Sequence, residues 1–293
     1  MTANRILLLI ICLLFFGDDS LLAQKEKDLS HLKEAEDSLH IYLDSLRGSK
    51  KDAQRIKWNK TFKRKLAETL EEDGVFNYPF DSLKTIAKIY SPDKKFRLFN
   101  WNVENDRGEH SYYGFILLVD KGKVIELSDQ SNAITDPESK SLDNKKWYGA
   151  LYYDIILSNT VGRNEYTLLG WDGNNKMTGK SIIDVLVIAG DKANFGVPIF
   201  INEKLGVKKR VVFEFSPLVN ILLTYDPKEK RIIFDHLMPD SPAAEGIFEY
   251  YFPDGTYDAY RLENGKWIFE SDIDARFNER RYNGKLYDPQ RDR

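Results

Sequence analysis

One cysteine stands in the whole chain, Cys12, and it falls inside the first apolar stretch. Disulfide frameworks, thiolate metal sites and thiol nucleophiles all need cysteine in the working protein, so these chemistries are excluded once that stretch is removed. Histidine is nearly as scarce, with His31, His40, His110 and His236 making up the full set. No two of them have metal-ligand spacing, and His31 and His40, nine apart, point in different helical directions. An excess of one charge is lacking too. Lys and Arg number 43 against 46 Asp and Glu, which sets up no field for nucleic acid or an anionic membrane. Phosphate-cradling glycine patterns are absent, as is the Gly-x-Ser-x-Gly of serine hydrolases. No run approaches the ~20 apolar residues a membrane-crossing helix needs. No cofactor or metal is therefore expected.

What is present begins with a leader. One basic residue, Arg5, precedes an apolar run from Ile6 to Phe16, and Ala23 supplies a small residue before a cut. That run is too short to span a bilayer and fits a secretory signal. Residues 1–23 are expected to be a cleavable signal peptide, which places the mature protein in the periplasm or outside the cell. Cys12 follows Ile10 and Ile11 rather than small residues, which argues against lipid attachment. Cleavage removes Arg5, Asp18 and Asp19, leaving 42 basic and 44 acidic residues. A mature chain of this size can bury a core without disulfides.

Residues 24–90 read as a helical arm. Leu29, Leu32, Leu39, Leu43 and Leu46 form a narrow coiled-coil-like stripe, interrupted at Glu36. Trp58, Phe62, Leu66 and Leu70 follow at four-residue spacing, with Gly74 as a helix stop. Gly48 to Lys51 is either a turn or a weak point in one long helix. Asp81 to Tyr90 suggests one more short helix capped by Asp81. The leucine stripe must cover its own domain, the second helix or a partner chain, so an oligomer through the arm is one option.

Residues 91–293 read as an antiparallel β domain. Short β-type runs between Phe96 and Ser271 are separated by turn residues: Lys121-Gly122, Pro227 to Lys230, Pro253-Asp254-Gly255 and Asn264-Gly265. Tight turns without intervening helical patterns favour an antiparallel meander. The expected class is mainly β, closing as a sandwich, a barrel or a propeller-like sheet, with the helical arm in front. Ser91-Pro92-Asp93-Lys94-Lys95-Phe96 resembles the opening of blades in some bacterial β-propellers.

Three features carry possible chemistry. The loop Gly170-Trp171-Asp172-Gly173-Asn174-Asn175 offers Asp172, Asn174 and Asn175 as oxygen ligands for calcium, although the same residues make good turns. Aromatic-Asp pairs recur near strand ends at Asp154, Asp172, Asp226, Asp235 and Asp258, and two facing carboxylates are what glycoside hydrolysis requires. Asp235-His236 is the one Asp-His dyad, but neighbours on a strand face opposite ways. Trp171, Asp172, Asn174, Asp235 and His236 are the candidate ligand-binding residues, and no catalytic residue is assigned.

The runs Lys146 to Tyr153, Leu168 to Asn174 and Ile233 to Leu237 resemble segments of a family of secreted proteins from Bacteroidetes-type bacteria. The resemblance spans residues 75–275 and implies export and a shared β domain, without activity, cofactor or catalytic residue. The expectation is a non-enzymatic exported protein that contacts an envelope protein or a glycan. The alternative is a carboxylate-based hydrolase using residues such as Asp154, Asp172, Asp226 or Asp235.

Overall fold

The computed structural model describes residues 29–274 apart from 121, 160 and 161. The expected signal peptide, with Cys12, lies outside the described residues. Two helices come first, α1 (Ser30–Arg47) and α2 (Asp52–Thr69), with Gly48 to Lys51 as the turn between them. Four strands follow: β1 (Ala87–Tyr90), β2 (Phe96–Glu104), β3 (His110–Leu118) and β4 (Val124–Ser128). Next are β5 (Leu142–Asp143), β6 (Leu151–Asn159), β7 (Glu165–Asp172), β8 (Gly179–Ala189) and β9 (Lys192–Phe195). Three short strands, β10 (Phe200–Asn202), β11 (Gly206–Lys208) and β12 (Val211–Phe215), lead to the last four. These are β13 (Leu223–Asp226), β14 (Arg231–Pro239), β15 (Tyr251–Glu263) and β16 (Lys266–Glu270).

The fold is mostly β, as expected, with the helices in front, and it does not close into a barrel. Sheet 1 runs β1-β2-β3-β4; sheet 2 runs β5-β9-β8-β7-β6, with β12 also on β8; sheet 3 runs β11-β10-β16-β15-β14-β13. Strand pairs are antiparallel except β10 with β16. The stacking order follows from the two-residue alternation of strands. In sheet 1, Phe99, Trp101, Phe115 and Leu117 turn toward the helices, while Phe96, Leu98 and Ile116 turn the other way. In sheet 2, Leu168, Ile182 and Leu186 meet sheet 1, while Leu169, Ile183 and Val185 meet sheet 3. The result is four layers, helices against three sheets. A sheet covered on both faces needs near-continuous apolar strands, which is how Ile182 to Ile188 reads apart from Asp184.

Each of the three cores holds one fully buried tryptophan whose N–H is used. Trp101 donates to Asn59 Oδ1 (2.7 Å), Trp147 to Tyr152 Oη (3.2 Å) and Trp267 to Thr167 Oγ1 (2.9 Å). A buried indole without such a partner would forfeit a hydrogen bond to water.

The leucine stripe of α1 is covered within the chain, where Leu32, Leu39, Leu43 and Leu46 pack with Phe62, Leu66 and Leu70 of α2 and with sheet 1. Glu36, the break in the stripe, is buried and accepts from Tyr78 Oη (2.7 Å) and the Ser82 amide (2.6 Å), which pins the loop after α2. Arg47 ties the end of α1 to sheet 1 by donating to the Asn102 and Thr85 carbonyls.

Two local expectations are corrected. Asp81 to Tyr90 is not a helix: Leu83 and Ile86 reach the core from a turn, and β1 then pairs with β2, so residue 90 falls inside sheet 1. Pro253-Asp254-Gly255 does not reverse the chain. β15 passes through it, with Pro253 opposite Leu237, because β14 continues alongside beyond a bulge at Asp235/Leu237. β15 itself starts at Tyr251, after a 3-10 turn at Phe248–Tyr250.

Candidate functional site

The loop after β7 docks on sheet 1. Asp172 is buried, and its Oδ1 accepts from Tyr112 Oη (2.8 Å) and from the Asn174 amide (2.7 Å). Burial pushes its carboxyl above the usual range, against the pull of these donors and of Lys180. Tyr112 Oη in turn accepts from the Gly173 amide (2.9 Å). Trp171 meets His110 edge-on at 5.5 Å. A methyl on Gly173 would overlap that His110 ring, so glycine is required for the close approach.

Asn174 has positive φ (47°), and its Oδ1 accepts from the Lys180 ammonium (3.1 Å). Asn175 Oδ1 accepts from the Met177 and Thr178 amides. Asp172 Oδ1, Asn174 Oδ1 and Asn175 Oδ1 thus each accept from a protein donor, in one case the Lys180 ammonium. Among the described residues, no cluster of three or more His, Cys, Asp or Glu side chains is placed to hold a metal.

Asp235 and His236 part company, as their adjacency on β14 suggests. Asp235 accepts from the Leu222 amide (2.6 Å). His236, within the bulge, donates from Nδ1 to Asp258 Oδ2 (2.7 Å), and Asp258 Oδ1 accepts from the Asp272 amide (3.0 Å). This partner is 22 residues away and is set by the pairing of β14 with β15, which nothing in local spacing announces.

The other aspartates of the hydrolase alternative are also held by backbone. Asp154 accepts from the Ile155 amide (2.8 Å), and burial raises its carboxyl. Asp226 accepts from the Lys228 amide (2.9 Å) in the β13–β14 turn. These two share one neighbour, Tyr225, whose hydroxyl is pushed up first by burial and then by both charges.

Three surfaces stand out. A cleft of about 400 Å³ lies between Lys63 of α2, Tyr113 and the 128–133 loop, which is held in shape by Asp129 accepting from the Tyr112 and Ser131 amides. A second hollow of about 790 Å³ is lined mainly by Leu142, Val187, Ile188, Phe195, Val197 and Pro198. The third is a projecting end of sheet 3, where Leu218, Met238, Ile247, Phe248 and Tyr250 are all exposed, Leu218 at 84%. Backbone pairing brings their segments together. Met238 pairs with Phe252, the Asp240 amide donates to the Tyr250 carbonyl, Phe248 packs on Tyr251, and the Ser216 amide donates to the Tyr251 carbonyl. Sequence reading missed this end because its side chains come from three separate segments.

Compared with protein-family models, with curated proteins and with solved structures, the chain matches none. What the fold defines is a class: a layered, mostly antiparallel β protein fronted by two helices. Among the described residues, no helix is long and apolar enough to cross a membrane.

Proposed function

We propose that this chain is an exported, non-enzymatic binding protein of the cell envelope or exterior, and that it works by presenting the end of sheet 3 to a partner. The observation that carries this reading is the cluster of exposed apolar side chains at Leu218, Met238, Ile247, Phe248 and Tyr250. Contiguous apolar surface has a hydration cost that a monomer does not retain without use, whereas scattered apolar residues need no explanation. Export is supported by the apolar run from Ile6 to Phe16 and by Ala23. The test is cross-linking in intact cells followed by pull-down, comparing the native chain with the Leu218→Ser/Ile247→Ser variant. A repeatable partner captured only by the native chain supports the reading, and a blank from both sinks it.

A second reading, carboxylate-based hydrolysis, has one observation in its favour. Tyr153 of β6 donates to the Leu223 carbonyl of β13 (2.7 Å), which ties together the strands that carry Asp154 and Asp226. Glycan turnover that disappears in Asp154→Asn would establish it and displace the first reading.

A further inference from the structure

The exposed end of sheet 3 carries charge of one sign. From Ile232 to Tyr260, 29 consecutive residues contain no Lys or Arg but six acidic residues: Asp235, Asp240, Glu245, Glu249, Asp254 and Asp258. None of these six forms an ion pair with a Lys or Arg among the described residues, and the one pair is Asp258 with His236. The opposite end of the same strands is arranged differently, because Arg231 and Arg261 there pair with Glu270, and Arg261 also pairs with Glu263. Sheet 3 thus pairs Glu263 and Glu270 with arginine at one end, while Asp240, Glu245 and Glu249 beside the exposed apolar residues have no Lys or Arg partner among the described residues.

We propose that the surface formed by Leu218, Ile247, Phe248 and Tyr250, rimmed by Asp240, Glu245 and Glu249, docks a positively charged segment of a partner polypeptide. The proposal rests on the binding reading above and names the partner's chemistry. Lys and Arg side chains lay their aliphatic stems on apolar surface while the charged head reaches the rim, and the Phe248 and Tyr250 rings add attraction for a cation over their faces. Carboxylates at the rim orient such a partner and speed encounter more than they deepen affinity.

Two other occupants fit less well. A second copy would bring these carboxylates against their own symmetry mates in a two-fold contact, where like charges oppose. A neutral glycan could give its hydroxyl hydrogens to these carboxylates but would gain nothing from their net negative charge, whereas a cationic segment is drawn by it.

The test uses the mature full-length protein and a fluorescent peptide of alternating lysine and leucine, with an alternating glutamate and leucine peptide as control. Saturable binding of the lysine peptide is expected, weakening as sodium chloride is raised. Glu245→Lys/Glu249→Lys should weaken it about tenfold or more, and Leu218→Ser/Ile247→Ser should weaken it as well, with melting temperatures unchanged in both. Leu205→Ser, exposed on the β10–β11 turn, should bind as the native chain does. Equal binding of the glutamate peptide overturns the proposal, as does lysine-peptide binding indifferent to both double variants. Displacement by a chito-oligosaccharide, or a dimer abolished by Leu218→Ser, overturns it in favour of a glycan or a second copy. Binding that appears only after removal of residues 275–293, which include six Lys and Arg, assigns the face to the chain's own end and also overturns it. If the lysine peptide fails while cell cross-linking still captures a partner dependent on Leu218 and Ile247, only the partner's chemistry is wrong. If both fail, the binding reading falls with it.

Discussion

Carboxylates occupy two opposite settings in this molecule, the middle of sheet 2 and the projecting end of sheet 3. In the first, Asp184 is wholly buried and meets Arg210 Nε at 2.7 Å, with both side chains at 0% exposure. Arg210 also donates to the Pro137 carbonyl (2.6 Å) and lies over the Tyr148 ring. Burial works against the Arg210 charge, and the Asp184 carboxylate outweighs it, so the guanidinium is held charged. At the end of sheet 3, Asp240 and Glu245 stand exposed and, among the described residues, neither they nor Glu249 pairs with a Lys or Arg. A charge taken out of water must be matched or the fold loses stability, whereas a solvated charge is free to serve an encounter. The first setting is architecture, and the second is available for recognition.

The contrast can be broken most decisively at Arg210. Arg210→Met strands the Asp184 carboxylate and should cost about 3–5 kcal/mol, read from the urea unfolding midpoint, while adding Asp184→Leu should restore most of the loss. A single-variant cost near zero would show that the pair is no more structural than the acids of sheet 3. Tyr112→Phe comes next. It removes the donor to buried Asp172 and the acceptor for the Gly173 amide, and should cost about 1–3 kcal/mol by the same measurement.

A smaller effect is expected at Asp154, whose carboxyl burial holds above its usual range. A raised folded-state value means that the wild-type residue stabilises most below the unfolded carboxylate pKa of about 3.9 and loses that contribution as pH rises through the folded value. Asp154→Asn keeps an acceptor for the Ile155 amide, so it should be more stable than wild type at neutral pH, with the difference vanishing on acidification in pH-dependent melts. Smallest of all, Glu245→Gln/Glu249→Gln should shift stability by no more than about 0.5 kcal/mol. A larger loss would mean that these acids are structural after all, and the two settings would merge.

Much of the fold was legible because alternation and turn chemistry are local. Asn264-Gly265 joins β15 to β16 with both residues at positive φ, as its dipeptide demands. Pro227 to Lys230 likewise joins β13 to β14. The strands β5, β10 and β11 were not legible, since two or three residues present no periodicity. Leu83, Ile86 and Ile89 imitate helical spacing but reach the core from a turn and a strand, which only the packing of sheet 1 decides. The Asp172 turn was readable from Asp-Gly-Asn-Asn, but its Tyr112 partner lies 60 positions away. His236 with Asp258, and the approach of Ser216 to Tyr251, depend in the same way on pairing between distant segments.

The position of sheet 2 between sheets 1 and 3 bears on how the molecule comes apart. Neither flank can leave without baring a wall of isoleucine, leucine and tryptophan, so no fragment ending between β4 and β13 keeps its interior dry. Helices and outer strands should therefore melt together in one calorimetric transition, and the slowest backbone amides to exchange with deuterium should belong to β7 and β8.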